Sequence, residues 1–518
     1  MKKRDLLRRG VLSLWATAGL ILLVSQFTAC PQPNNNQGPS NVATNSGTPA
    51  QPSASPGAVN AQGVRYVPVN PSMYVPSETI GKWSETFDDK AIEDHGWQIW
   101  AALTADSGQQ YNGVELPVWD TWFSEFEVFC TDPRGVPVSA DPCADSSATG
   151  EQKSRPFHIP RQVNTRASVV SFNKYNLDFK QFVQENKYYQ KQTLEQLNAS
   201  FAPDTPLQDR RIKTPPRTGI MLKPTFWIIK ADTPTPMPIW QGPALSIAGT
   251  LQPKRPTDLT WTNVVLVDPT GRADNSQPIT RTLVSETGTQ QLTTPAGSYK
   301  VVPLSSFYVV PLSDEDVMFL KGGNAFQVGG LHSELGGINL NDWKPGDKLL
   351  ALLVGMHVTT AEWDDFWTWQ TFWWTPTPET TGHPGVGGPW ANFNMASAYY
   401  MIGKDGQPHI AFNPHLETPI EGNIFMNPTE RGSHSNCMTC HRVAAFPSVS
   451  NDPNPNNMTL RSYLGTGDIK RDNPVWFKNR VQTMNMWTMV LETMPQGWSP
   501  SAPSVTGPTP IQKPKKTP

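Results

Sequence analysis

The sequence predicts a mostly β fold, sandwich- or barrel-like, with a few helices and a small C-terminal segment of loop and helix. Three observations support this prediction. The 518 residues include 51 Pro and 38 Gly, only 17% of them are charged, and from about Gly219 onward the apolar runs are short. Frequent Pro and Gly interrupt long helices, whereas short apolar runs between turn residues are typical of strands in a sandwich or barrel.

The first 30 residues have the pattern of an export signal. Five basic residues stand among the first nine, an uncharged apolar run covers about residues 11–24, and small residues precede Cys30. A membrane-spanning helix usually needs about 20 apolar residues, and this run is shorter, so a retained anchor helix is the alternative. The pair Arg8-Arg9 also fits a twin-arginine signal, although a basic start explains it more simply. We therefore predict a signal peptide over residues 1–30.

Composition divides the rest of the chain. Residues 31–64 contain no charged residue and almost nothing large enough to pack, which predicts a disordered tether. Residues 499–518 form a Pro-rich, basic tail. Between them we predict a β-rich body of unknown function, with some N-terminal helices, over residues 65–430, and a C-terminal segment over residues 431–498. The net charge of -2 provides no electrostatic footprint for nucleic acid.

Two stretches near the start of the body have helical periodicity. In "SETFDDKAIEDHGWQIWAAL", Thr86 and Asp89 could form a capping box. A set of apolar residues and a glycine then falls on one helical face: Ile92, Gly96, Ile99, Trp100 and Leu103. The second stretch, "LDFKQFVQENKYYQKQTLEQLNASF", ends before Pro203. Later runs bounded by turn residues predict strands: "GIMLKPTFWIIK", "TNVVLVD", "SYKVVPL", "SFYVVPL", "KLLALLVGMHVTT" and "ASAYYMIG".

The stretch "WDDFWTWQTFWW" is unusually rich in tryptophan. In an extended strand, Trp367, Trp369 and Trp373 project to one side, and Phe372 and Trp374 project to the other. Flat indole faces can stack on sugars or aromatic ligands, which would make the strand a binding surface. A strand buried on both faces, whose rings fill a core, is the simpler interpretation. The rings could equally form the wall of a cofactor pocket.

The stretch "HSNCMTCHRV" places two cysteines and a histidine within five residues. Cys437-Met438-Thr439-Cys440-His441 is the Cys-x-x-Cys-His run of c-type haem attachment. Thiols one helical turn apart can form thioethers with the two vinyl groups on one porphyrin edge, and the following histidine is then aimed at the iron. A zinc ribbon would need a second Cys-x-x-Cys, which the sequence lacks. A thioredoxin-like pair would open a helix after a strand, whereas "NPTERGSHSN" before the motif is typical of a loop.

The sequence has five cysteines. Outside the motif, Cys30 ends the export signal, and Cys130 and Cys143 flank the turn-rich stretch "TDPRGVPVSADP". In an oxidising compartment we expect Cys130 and Cys143 to form a disulfide, which contributes roughly 3 kcal/mol through loop closure. A metal site shared with Cys437 and Cys440 is the alternative, and it would need a further ligand brought across the fold.

On these motifs the chain resembles bacterial c-type cytochromes that carry a lipoprotein-like signal peptide. The stretch "FTAC" is similar to a lipobox, whose cysteine becomes the acylated first residue of the mature chain. The resemblance implies lipid on Cys30, one haem c per chain attached to Cys437 and Cys440, and His441 as the proximal iron ligand. The run before Cys437 departs from the helix that carries this motif in small cytochromes, so their fold is not implied.

In small cytochromes the second axial ligand is often a methionine followed by proline, several tens of residues downstream. Met494 precedes a proline and lies 53 residues after His441, which makes it our first choice. Met489 is the next choice, and His434 or an open, five-coordinate iron are further alternatives. The methionines of this region could instead line the apolar face of a helix over about residues 474–493.

We therefore expect an exported, membrane-tethered monohaem c-type cytochrome that acts in electron transfer, in the periplasm or at the cell surface. The sequence does not identify its redox partner protein. One alternative is a ligand- or carbohydrate-binding β-protein that uses the Trp-rich strand, and another is a haem enzyme, an oxidoreductase component, with an open distal site. The remaining histidines are dispersed and form no HExxH or triad pattern: His95, His158, His332, His357, His383, His409 and His415.

The first prediction concerns Cys30. If this cysteine is lipidated, mass spectrometry of the mature protein should find Cys30 at the N-terminus and diacylglycerol on its sulfur. Cys30→Ser should release the protein from washed membranes, whereas the control Ser40→Ala, in the tether, should not. A Cys30→Ser protein that stays as tightly membrane-bound as the parent would contradict the prediction.

Overall fold

The computed structural model of the chain describes residues 58–60, 63–130, 169–240, 263–285, 288–321, 334–335, 338–340, 342–379, 382–417, 436–447 and 468–492. These residues all fall in the larger of two compact units, residues 51–518. The predicted signal peptide, most of the predicted tether and the Pro-rich tail lie outside them.

Short helices and strands alternate along the described residues. The helices are α1 (Ser77–Thr86), α2 (Asp89–Thr104), α3 (Glu125–Phe129), α4 (Leu177–Glu185), α5 (Lys191–Ser200), α6 (Asp314–Lys321), α7 (Pro414–Glu417), α8 (Cys437–Arg442), α9 (Pro474–Phe477) and α10 (Trp487–Glu492). The strands are β1 (Asp106–Tyr111), β2 (Val114–Pro117), β3 (Phe123–Ser124), β4 (Val169–Ser171), β5 (Lys174–Tyr175), β6 (Ile220–Lys230), β7 (Thr235–Pro238), β8 (Val264–Asp268), β9 (Ile279–Ser285), β10 (Gly288–Thr294), β11 (Lys300–Pro303), β12 (Val309–Leu312), β13 (Glu334–Leu335), β14 (Ile338–Asn339), β15 (Leu349–Thr360), β16 (Thr368–Trp374), β17 (Phe393–Ala398), β18 (Ala445–Phe446) and β19 (Val481–Gln482).

The first helical stretch contains two helices instead of one. Thr86 ends α1, where its Oγ1 donates to the Lys82 carbonyl at 2.7 Å, so the capping box predicted for Thr86 and Asp89 is wrong. Asp88 caps α2 instead, because its Oδ1 accepts from the Ala91 backbone N–H at 3.2 Å. The predicted apolar face of α2 is confirmed, since all its members are buried: Ile92, Gly96, Ile99, Trp100 and Leu103.

The largest sheet has eight strands in the order β17-β16-β15-β6-β5-β3, with β12 also paired to β15 and β4 to β6. All of these pairs are antiparallel, and the smaller sheets are antiparallel too, apart from the parallel pair of β8 and β11. The predicted β-rich fold with few helices is confirmed. The barrel form is wrong, because among the described residues β17 and β3 remain the two edges of an open sheet.

The central strands are mostly apolar. In β15 only Leu350 and His357 are half-buried, and the other residues are buried. Near-continuous apolar runs of this kind are typical of strands that are covered on both faces. All six predicted strand runs overlap strands of the structure, although "ASAYYMIG" contributes only its first three residues to β17.

Different layers cover the two faces of this sheet. On one face, Phe372 of β16 stacks on Trp100 of α2, with ring centroids 4.2 Å apart. Helix α2 approaches closely because Gly96 has no side chain, and a Cβ there would lie only 2.5 Å from the Met395 sulfur. Because side chains alternate along a strand, Trp369 projects to the opposite face, where it contacts α8. The sheet therefore lies between the N-terminal helices and the C-terminal segment.

The C-terminal segment does not contain the single helix considered for residues 474–493. Asn479, Met484 and Asn485 have φ angles of 61°, 49° and 71°, and such left-handed residues interrupt a right-handed helix. Between them, β19 pairs with β18 in antiparallel fashion. The helical interpretation is therefore wrong, and the segment is a short helix, a two-residue strand, a tight turn and a second helix.

Gly355 in β15 lies at a position that we predict cannot accept a side chain. A Cβ there would lie 2.9 Å from Nδ2 of Asn413. Asn413 cannot move aside easily, because its Nδ2 donates to Thr371 Oγ1 at 3.0 Å and to the Phe372 carbonyl at 2.9 Å. Gly355→Ala should therefore lower the free energy of unfolding by about 1–3 kcal/mol, as measured by denaturant titration.

The matched control is Gly387→Ala. A Cβ at Gly387 would meet nothing within 4 Å, and its backbone is extended with φ -149°. This variant should change the free energy of unfolding by less than about 0.5 kcal/mol. Equal losses in the two variants would show that Asn413 does not exclude a side chain at Gly355.

His415 in α7 predicts a pH dependence of stability. Its side chain is 1% exposed, and desolvation lowers its pKa from 6.5 to about 3. Between these pH values the unfolded chain binds a proton that the folded chain does not bind. Acidification below about pH 6.5 should therefore destabilise the fold by about 1.4 kcal/mol per pH unit through this group, down to the folded-state pKa.

Denaturant titration at pH 7 and pH 5 measures this contribution. The free energy of unfolding of His415→Gln should fall by about 2 kcal/mol less than that of the parent between these two pH values. Above pH 7 the imidazole is essentially neutral in both the folded and the unfolded state. The free energy of unfolding should therefore change with pH in the same way in His415→Gln and in the parent. Equal losses between pH 7 and pH 5 would rule out a neutral, buried His415.

Candidate functional site

The Cys-x-x-Cys-His run forms helix α8, which begins at the first cysteine. Asn436 is the N-cap, and its Oδ1 accepts from the Thr439 backbone N–H at 3.0 Å. The Nδ2 of Asn436 donates to the carbonyls of Tyr400, at 3.1 Å, and His409, at 2.8 Å. One buried amide thus both caps the motif helix and attaches it to the body.

Helix α8 brings its two cysteines to one side. Cys437 and Cys440 are about one helical turn apart, and both are thiols that are not joined in a disulfide. Cys437 is buried, and Cys440 is half-buried. The indole Nε1 of Trp487 donates to the Cys440 carbonyl at 3.1 Å, which holds α10 against the motif. The spacing and the thiol state are those that two thioether bonds to one porphyrin require.

His441 is oriented by a backbone carbonyl. Its Nδ1 lies 2.8 Å from the Asn485 oxygen, and because a carbonyl can only accept, Nδ1 carries the proton. In the neutral ring the lone pair is then on Nε2, as in histidines that bind a metal through that atom. Desolvation, with a smaller contribution from the charge of Lys223, lowers the pKa of His441 from 6.5 to about 4. The imidazole is therefore neutral at neutral pH.

A tight turn presents the Asn485 carbonyl. Met484 and Asn485 both have left-handed backbone angles, which cost non-glycine residues about 1–3 kcal/mol unless their surroundings hold them. Thr483 holds the turn, since its N–H donates to the Ala444 carbonyl at 3.0 Å and its Oγ1 to the Met486 carbonyl at 2.9 Å. The orientation of the motif histidine thus depends on a turn that begins 42 residues later in the chain.

The central sheet forms a wall beside the motif. The ring of Trp369 in β16 lies 4.4 Å from the His441 ring, tilted by 42°. Five of the seven aromatic residues of this stretch are buried: Trp367, Trp369, Phe372, Trp373 and Trp374. They fill the core and provide no exposed face on which a sugar could stack.

The structure brings a further histidine to the motif that the sequence did not indicate. His357 of β15 lies with its Nδ1 3.9 Å from the Cys437 sulfur. Desolvation, followed by the charges of Lys223 and His441, lowers the pKa of His357 from 6.5 to about 3. The available signal was an imidazole in an otherwise apolar strand, "KLLALLVGMHVTT", but nothing local connects it with residues 437–441.

Three arginines anchor the end of the motif helix. Arg442 Nη1 donates to the Asp365 carbonyl at 2.5 Å, and Arg471 donates to the same oxygen. Arg211 forms an ion pair with the Asp365 carboxylate. Desolvation lowers the pKa of Arg471 to about 9 and that of Arg442 to about 10. These contacts tie α8 and the residues after it to the turn that precedes β16.

The structure describes only one of the two cysteines of the predicted disulfide. Cys130 follows α3 and is disulfide-bonded. Cys143 lies outside the described residues, so its pairing with Cys130 stays a prediction. The predicted lipid site, Cys30, also lies outside them.

The candidates for the second axial ligand are placed in part. Met494 and His434 lie outside the described residues, and their roles stay predictions. Met484, Met486 and Met489 are buried in the hydrophobic core together with residues of the sheet. These three methionines thus pack as core side chains.

The residues of the motif fit a covalently attached haem. Two thiols on one helical turn can reach two vinyl groups, and the Nε2 of a neutral, oriented imidazole is a suitable iron ligand. The Trp369 ring provides an apolar wall next to that imidazole. Within the ranges that the structure covers, no group of three or more His, Cys, Asp or Glu side chains is arranged to hold a metal ion.

The chain was also compared with known proteins. No protein family, no curated protein and no solved structure matched it. None of the helices among the described residues is long and apolar enough to cross a membrane. The interpretation of the site therefore depends on the chemistry of its own residues.

Proposed function

We propose that the chain is an exported, lipid-tethered cytochrome that carries one covalently attached haem c and transfers electrons. One observation carries the proposal: α8 presents two thiols and an imidazole side by side, and the Asn485 carbonyl holds the imidazole of His441 with its Nε2 lone pair available. A Cys-x-x-Cys-His run that arose by chance would not need a separate turn to orient its histidine.

Each residue of the site has a distinct role in this proposal. Cys437 and Cys440 would form the two thioether bonds, and His441 would bind the iron through Nε2. By accepting a hydrogen bond from Nδ1–H, the Asn485 carbonyl fixes the tautomer and the plane of the ring and makes the Nε2 lone pair more basic. Trp369 would cover the imidazole from the side of the sheet.

Bound haem would supply a one-electron couple between ferrous and ferric iron. The chain sets the conditions for that couple. The buried Trp369 ring lies against His441, and such a low-dielectric surrounding would disfavour the extra positive charge of the ferric state. The donated Nδ1 hydrogen bond acts in the opposite direction, because a more basic imidazole stabilises ferric iron.

The predicted N-terminus suggests where electrons would be exchanged. Lipid on Cys30 would hold the body at a membrane surface, in the periplasm or at the cell surface. The tether of about 34 residues has a root-mean-square reach on the order of 30 Å. A redox partner protein in or near the same membrane would then lie within reach of the body.

Two other functions are compatible with parts of the sequence. A carbohydrate-binding role for the Trp-rich strand lacks an exposed aromatic face among the described residues. A haem enzyme with an open distal site would bind carbon monoxide to its ferrous iron readily, which a cytochrome with two protein ligands would not. Carbon monoxide titration of the reduced protein distinguishes these two kinds of haem protein.

The haem proposal predicts one equivalent of haem c per chain. After acid acetone extraction, a pyridine haemochrome spectrum of the full-length protein should still show bound haem at that ratio. Cys437→Ser combined with Cys440→Ser should lose this covalent haem, because neither thioether can form.

Met438→Leu is the matched control, since it changes a buried residue between the two cysteines while conserving volume. It should keep the full equivalent of haem. Haem that extracts freely from the parent protein, or no haem at all, would end the cytochrome proposal.

A further inference from the structure

His357 faces the same side of the sheet as the motif helix. On β15 it lies directly opposite Lys223 of β6 and Thr371 of β16. Residues opposite each other in antiparallel strands share one face, and Trp369, two residues before Thr371, shares it too. Because Trp369 contacts His441, the side chain of His357 projects into the layer where the motif packs.

The distances place this imidazole at the edge of the candidate site. His357 Nδ1 is 3.9 Å from the Cys437 sulfur, and Cys437 is about one helical turn from His441. An imidazole on the sheet thus contacts one of the two thiols of the helix that carries His441.

The methionines of the described segment are less suited to bind iron from the distal side. Met484 and Met489 have no exposed surface, and Met486 is only 1% exposed. A thioether ligand would have to leave that packing. His357 is half-buried and already faces the motif from a central strand, an element that holds a ligand rigidly.

We propose that His357 is the second axial ligand of the haem iron, opposite His441. This rests on the proposed attachment of haem c to Cys437 and Cys440. The iron would then be held between an imidazole on the motif helix and an imidazole on the central sheet. The large β-rich body would be part of the haem site, because one of its innermost strands supplies a ligand.

Two imidazole ligands have consequences that can be measured. They make ferric haem six-coordinate and low-spin, and they lower the reduction potential relative to a histidine–methionine pair. They also leave no open position for carbon monoxide. A methionine ligand at Met494 would instead produce the weak long-wavelength sulfur-to-iron absorption of the ferric protein.

The test uses the full-length protein with its haem content determined beforehand. Electron paramagnetic resonance and near-infrared magnetic circular dichroism of the ferric parent should show imidazole–imidazole ligation without a sulfur-to-iron band. In His357→Ala the low-spin signal should be lost to a high-spin form, and added imidazole should restore it. His383→Gln is the control, because His383 stacks on Trp97 of α2, which covers the opposite face of the sheet.

Several results would overturn this ligand assignment. A histidine–methionine spectrum of the parent, lost in Met494→Leu, would assign the position to Met494. A five-coordinate parent, or a low-spin His357→Ala protein identical to the parent, would equally exclude His357. If a variant fails to fold, the spectrum of the parent protein still shows which type of side chain is the second ligand. Absence of covalent haem would end the proposed function itself, whereas covalent haem with another ligand pair would end only this inference.

Discussion

Strand β15 must be buried on both of its faces, and the rest of the structure depends on this requirement. Ten of its twelve residues are buried, so water has to be excluded from both sides of the sheet that it centres. Helix α2 covers one side through Trp100 and Phe372. The C-terminal segment covers the other, where His441 of α8 contacts Trp369. The candidate site therefore lies in the layer that covers this second face and completes the core.

The motif helix could not hold its geometry alone. Helix α8 has six residues, and isolated helices shorter than about 12–15 residues are marginal in water. Its position comes from contacts with the body: the Asn436 amide at its start, the Arg442 guanidinium at its end, and the Trp487 indole on the Cys440 carbonyl. The arrangement of two thiols and an imidazole is therefore a property of the whole fold.

Burial also determines the chemistry of the histidines near the sheet. Desolvation lowers the pKa values of His357 and His441 far below neutrality, so both rings are neutral, the form in which imidazole binds a metal ion. The same surroundings would govern the potential of a bound haem. For the proposed cytochrome, a body of several hundred residues is large for carrying one electron, and supplying a rigid face for the motif would give that size a physical purpose.

The sequence alone determined the features that arise from neighbouring residues. These features are the apolar face of α2, the near-continuous apolar run of β15 and the turn-length spacing of Cys437 and Cys440, and all of them follow from local periodicity. The open sheet, the interruption at Met484 and Asn485, and the place of His357 were decided by the tertiary structure. His441 and Asn485 are 44 residues apart, and Cys437 and His357 are 80 apart. No local sequence pattern predicts such pairs. They form only when distant segments pack together to bury both faces of the sheet.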